Sequence, residues 1–186
     1  MTDALIQVAE TVATPIQLVR TADVQQWLET LPETARLWAE RAGFKGKAGQ
    51  VAWLPGAGGL PERVVVGWDG RDNLSTLGAL PLTLPEGDYQ LLAAASALQL
   101  LGWALGAYQF DRYRPVTRAP ARLVVPPEHD LDAIGDLAFA TRLARDLINT
   151  PAADLQPAHL AAEAEALAES HDAPCNVLVV KLPKKT

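Results

Sequence analysis

The sequence is poor in the residues that carry metal and redox chemistry. Its one cysteine, Cys175, excludes an internal disulfide and, with no histidine near it and Pro174 before a β-branched run, reads as a packing residue rather than a nucleophile. The three histidines, His129, His159 and His171, are 30 and 12 residues apart, so none forms the i, i+4 His pair of a helical zinc site. His159 and Glu163 have that spacing, and one such pair reads as a solvated ion pair. Basic residues are also scarce: 16 Lys and Arg against 22 Asp and Glu give a net charge of −6, which excludes a broad electrostatic footprint for nucleic acid. No long hydrophobic run exists. The longest, Leu91 to Ala107, is broken by Ser96, Gln99, Gly102 and Gly106 and is short for a span, so no membrane segment is expected. The start, MTDALIQVAE, lacks the pattern of a secretory signal, and with the lone thiol this makes the cytoplasm the expected compartment.

What is present is apolar and ordered. Hydrophobic residues make up 49% of 186 positions, enough to core one domain with a connector left over. Ile16–Arg20 reads as the first strand, after a lead-in over residues 1–15 without a period. Val24, Trp27 and Leu28, then Ala35, Trp38 and Ala42, mark two helices parted by Leu31-Pro32 and closed by Gly43. Gln50–Leu54 and Arg63–Trp68 are strands whose glycine-rich joint, Pro55–Pro61, is too short for a crossover, so they should form an antiparallel hairpin. Leu74, Leu77 and Gly78 suggest a short helix. Leu80–Leu84 reads as a strand or an extended loop. Asp88 to Phe110 has apolar residues at spacings of three and four and predicts one central helix, with Gly102 and Gly106 on a face that a neighbour approaches closely. Ala121–Val125 is a buried strand, Leu131 opens a helix that closes at Asn149-Thr150-Pro151, Pro157 opens another, and Asn176–Val180 is a last strand. These irregularly alternating elements predict an α/β fold, a mixed sheet flanked by helices.

Each candidate for chemistry has a plainer reading. Phosphate loops lead from a strand into a helix, whereas Pro55–Pro61 leads to Glu62 and a strand, so it is a hairpin turn. Asp111-Arg112-Tyr113-Arg114 is a solvated helix end with Tyr113 docked on the core. The tryptophans, Trp27, Trp38, Trp53, Trp68 and Trp103, lie on apolar faces and serve core or subunit contact. No residues here assemble a catalytic, cofactor-binding or metal site.

Two stretches resemble one family. Arg145-Asp146-Leu147-Ile148-Asn149-Thr150-Pro151, followed by a proline-led helix, is similar to the interdomain segment of the leucyl (cytosol) aminopeptidases. Gly102 to Arg114, GWALGAYQFDRYR, is similar to that family's G-x-x-L-G-x-Y-x-F-x-x-Y pattern. The chain departs from the family at Ala153, where members often carry Asn. The resemblance implies a macro-domain-like amino-terminal α/β domain over residues 1–150. It also implies an interdomain helix and the start of a catalytic domain over residues 151–186. Family chemistry, removal of amino-terminal residues from peptides by two divalent metals (Mn, Zn or Mg), uses motifs that these residues lack. The chain alone is therefore expected to be inactive. Its expected partners are its own catalytic domain, further copies in a hexamer and, through the missing part, peptide substrate. Two other readings stay open, a free-standing macro-like module binding ADP-ribose or a nucleotide, and a DNA-contacting accessory domain.

Overall fold

The computed structural model describes residues 4–56, 58 and 61–179. Six strands, β1 (Leu5–Ile6), β2 (Thr14–Arg20), β3 (Val51–Pro55), β4 (Pro61–Trp68), β5 (Asp88–Leu91) and β6 (Arg122–Val124), form one sheet in the order β1-β6-β5-β2-β4-β3. All neighbours are parallel except β3, which pairs antiparallel with β4 as the hairpin reading requires. The mixed sheet flanked by helices expected from the sequence is what forms.

Strand alternation builds two cores. Val64, Val65 and Val66 are all fully buried because successive side chains point to opposite faces and both faces of β4 are covered. On one face Ile16, Val64, Val66, Tyr89 and Leu123 pack with Leu100, Trp103, Ile134 and Ala138. On the other, Val19, Ala52, Leu54 and Val65 pack with Trp27, Leu28, Ala39 and Phe44. The second group comes from α1 (Val24–Thr30) and α2 (Glu33–Arg41), the pair that Pro32 separates, and from Phe44 just beyond. Trp27 meets Phe44 edge-on at 5.4 Å, and Trp103 Nε1 donates to Ala121 O at 3.2 Å. Burying each such side chain contributes about 1.5–3 kcal/mol.

The first core is closed by α3 (Ser75–Gly78), α4 (Leu80–Thr83), α5 (Ala97–Gly106) and the start of α6 (Leu131–Asn149). A Cβ on Gly102 would strike Leu74 O, and one on Gly106 would strike Gly78 O. The two glycines thus allow the backbone contact that their spacing suggests.

Four expectations need correction. Asp88 to Phe110 is not one helix: Asp88–Leu91 is strand β5, paired with β2 and β6, and the helix begins only at Ala97. Leu80–Leu84 is a helical turn with proline near its start, where the missing N–H costs nothing. The lead-in contains β1, whose two residues are too few to show a period. Asn176–Val179 forms no strand among the described residues, and Val180 lies outside them.

The chain divides into two compact units, Met1–Arg142 and Leu143–Thr186. In the second, Thr150 ends α6 with its amide and hydroxyl both donating to Asp146 O, and Pro151 follows. Helix α7 (Pro157–Ser170) buries none of its residues.

Candidate functional site

Three places gather polar groups. The carboxyl ends of parallel strands are where ligands of α/β sheets usually sit, at the point where connections run to opposite sides. In this strand order that point lies between β2 and β5. It is internally filled: Ser96 Oγ donates to Asp72 Oδ1 at 2.5 Å and accepts from Gln99 N at 3.1 Å. The side chain of Gln99 in turn accepts from Ser96 N at 3.1 Å. A protein carboxylate therefore stands beside the first turn of α5, where a nucleotide phosphate would otherwise be drawn.

The opposite, amino end of the parallel strands holds a charge cluster. Asp88, the first residue of β5, is buried and accepts from Glu10 N at 2.7 Å, Thr11 N at 3.1 Å and Arg122 Nε at 2.7 Å. Arg122 also reaches Glu10 at 2.8 and 2.9 Å. Burial raises the Asp88 pKa, but the hydrogen bonds from Arg122, Thr11 and Glu10 together outweigh it, and the carboxyl is held below its ordinary range. Arg122's hydrogen bond, then its charge, lowers Glu10. The hydrogen bonds that Arg122 donates to Glu10 and Asp88 raise its own pKa. This cluster pins the segment before β2 to the sheet. All its groups are satisfied by one another, so it has a structural reading.

The third place is a cavity of about 350 Å3 under the hairpin, lined by Leu31, Pro32, Ala35, Leu54, Glu62 and Arg63 among others. Leu54 pairs with Arg63 and Pro55 with Pro61, so Glu62 is the extra residue of a β-bulge, a feature that re-aims a side chain. Its carboxylate rests against Gly56, where any Cβ would collide with it. Arg63 spends one donor on Gln17 Oε1 at 3.1 Å. Among the described residues neither Glu62 nor Arg63 has an ion-pair partner. Beside this cavity a shallower hollow of about 570 Å3 is lined by Thr34, Leu37, Trp38, Arg41 and Ala42.

The residues weighed from sequence scatter. His159 Nδ1 accepts from Gln156 N at 3.1 Å in a helix cap, and His171 ends the same helix. Among the described residues no three of His, Cys, Asp and Glu are grouped to hold a metal, so the metals that the resemblance implies have no fitting donor set here. Cys175 is exposed rather than packed, because no described strand forms around it. Tyr113 is 52% exposed, set edge-on to Phe110 at 5.8 Å instead of docked on the core. Trp38 is 55% exposed and so is not a core residue. The Pro55–Pro61 loop precedes β4, at the amino end of the parallel strands, the wrong end for a phosphate cradle. The Glu62–Arg63 cavity escapes a reading of the sequence, although a charged pair directly after a Pro- and Gly-bounded loop is its visible trace.

The fold defines a class, a mixed-sheet α/β domain carrying a helical extension. Comparison with known proteins is more specific: residues 14–126 match the family described as M17 aminopeptidase, N-terminal domain. The chain belongs to that family. It is 37% identical over 162 residues to a probable cytosol aminopeptidase of Leifsonia xyli, covering 74% of this chain and 31% of the relative. A probable cytosol aminopeptidase of Streptomyces avermitilis is 34% identical over 176 residues, covering 75% of this chain and 34% of the relative. The crystal structure of cytosol aminopeptidase from Coxiella burnetii superposes with a TM-score of 0.82 at 30% identity, over 91% of this chain and 38% of that one. The chain thus spans about a third of the length of these relatives. No described helix is long and apolar enough to cross a membrane.

Proposed function

We propose that residues 1–150 are the non-catalytic amino-terminal domain of a di-metal aminopeptidase and that residues 151–186 form its interdomain helix and the start of a catalytic domain. The match over residues 14–126, within relatives about three times as long, carries this reading. The parent would remove amino-terminal residues from peptides in the cytoplasm, as a hexamer. Its two metals (Mn, Zn or Mg) would be held by side chains outside this chain, and the present residues would supply neither catalytic nor cofactor-binding groups. Their work is structural, covering the catalytic part and limiting access to it. Two features support a structural role: the buried Asp88 carboxylate is satisfied internally, and Asp72 stands at α5 where the rival nucleotide-binding reading needs an anion.

The test is a comparison of the purified 186-residue chain with the extended gene product on leucyl p-nitroanilide, with and without Mn2+. Metal-dependent hydrolysis is expected from the extended protein alone. Hydrolysis by the chain itself would overturn the reading.

A further inference from the structure

We propose that the cavity under the hairpin binds a free aliphatic amino acid as its zwitterion. The volume of about 350 Å3 suits a small molecule. Its wall is apolar, from Leu31, Pro32, Ala35 and Leu54, and its two charges, from Glu62 and Arg63, are opposite and unpaired among the described residues. The bulge breaks the alternation of the strand here, so both side chains line the one cavity, and as they make no ion pair with each other, each charge is left for a third party. An α-ammonium donates to the Glu62 carboxylate, and an α-carboxylate accepts from the Arg63 guanidinium, whose planar fork suits it. A branched aliphatic side chain then covers Leu31 and Leu54. The position of Glu62 is set by the backbone: the bulge turns it out of the ladder, and Gly56 leaves the space in which its carboxylate lies.

The ligand class follows from the cavity alone. That it is also the product class of the parent rests on the function proposed above, and binding to this chain is measured without any peptidase activity, so the two can fail separately.

The experiment titrates the 186-residue chain with L-leucine, following amide shifts by NMR and binding by calorimetry. Shifts should centre on Ala35, Leu54 and Arg63, with a dissociation constant on the order of 1 mM, as a ligand of so few atoms allows. Leucine amide, lacking the carboxylate, and N-acetyl-leucine, lacking the ammonium, should each bind about tenfold more weakly. E62Q and R63Q should each cost about tenfold. G56A should do the same by displacing the Glu62 carboxylate, with a small loss of melting temperature as well, because the added Cβ also stands 3.0 Å from the Glu62 Cβ. Absence of shifts at saturating leucine overturns the assignment. So does leucine binding that N-acetylation or E62Q leaves unchanged.

Discussion

Asp88 shows what a single residue does in this fold and why sequence alone misplaces it. In the sequence it is the first residue of the run from Asp88 to Phe110 whose apolar spacing predicts one central helix. In the structure it starts a strand, and its carboxylate is the common acceptor for two backbone amides and Arg122. Nothing in the sequence links Asp88 to Glu10 and Arg122, since partners 78 and 34 positions away leave no local pattern. Asp88→Ala leaves the two amides without their acceptor and leaves Arg122 with Glu10 alone. It is expected to cost about 2 kcal/mol, measured by urea denaturation, with Asp88→Asn losing less. The pH dependence follows from the sign of the shifts. Asp88 and Glu10 both have folded pKa values below their ordinary 3.8 and 4.5. Their stabilisation is therefore fully present above those values and fades as pH falls through the lower folded ones. The melting temperature of the native chain should drop below about pH 4, and that of Asp88→Asn should drop less steeply. Equal slopes would mean that the cluster does not govern acid unfolding.

At the scale of elements, legibility depends on length and on punctuation. The α1 and α2 pair and the β3–β4 hairpin can be read because prolines and glycines bound them and each keeps one period throughout. Strand β5 is absorbed into the following helix because four residues are too few to separate a period of two from one of 3.6. A usable signal is present: Ser96-x-x-Gln99 is a capping box, and it marks the helix start that the apolar spacing hides. The glycines of α5 set two effects against each other. Gly106→Ala gains up to about 1 kcal/mol of helix propensity. It also drives a Cβ into Gly78 O, a backbone atom that cannot swing aside, at a cost of about 3 kcal/mol. The clash wins, and a net loss of about 2 kcal/mol is expected from the difference between those two effects. Gly102→Ala should behave alike against Leu74 O. A gain in stability for either, measured by chemical denaturation, would show that α5 stands further from α3 and from Leu74 than these contacts require.

For the whole molecule the question is which residues the fold needs. The last residue of either hydrophobic core is Ala138, and α7 buries nothing although it carries Leu160, 50% exposed, and Leu167. A helix of this length gets most of its stability from packing, not from propensity. Alone it has little reason to persist, so α7 adds little to the stability of the first unit. The sequence displays its apolar stripe but not the lack of burial, because periodicity reports which face is apolar and not whether anything covers it. Truncation after Thr150 should accordingly leave a cooperative thermal transition within a few degrees of that of the full chain. The circular dichroism signal lost on truncation should be helical, and in the full chain of 186 residues that part of the signal should melt without cooperativity. If truncation abolished the transition, α7 would have to be counted as part of the core, and the proposed boundary at residue 150 would move beyond it.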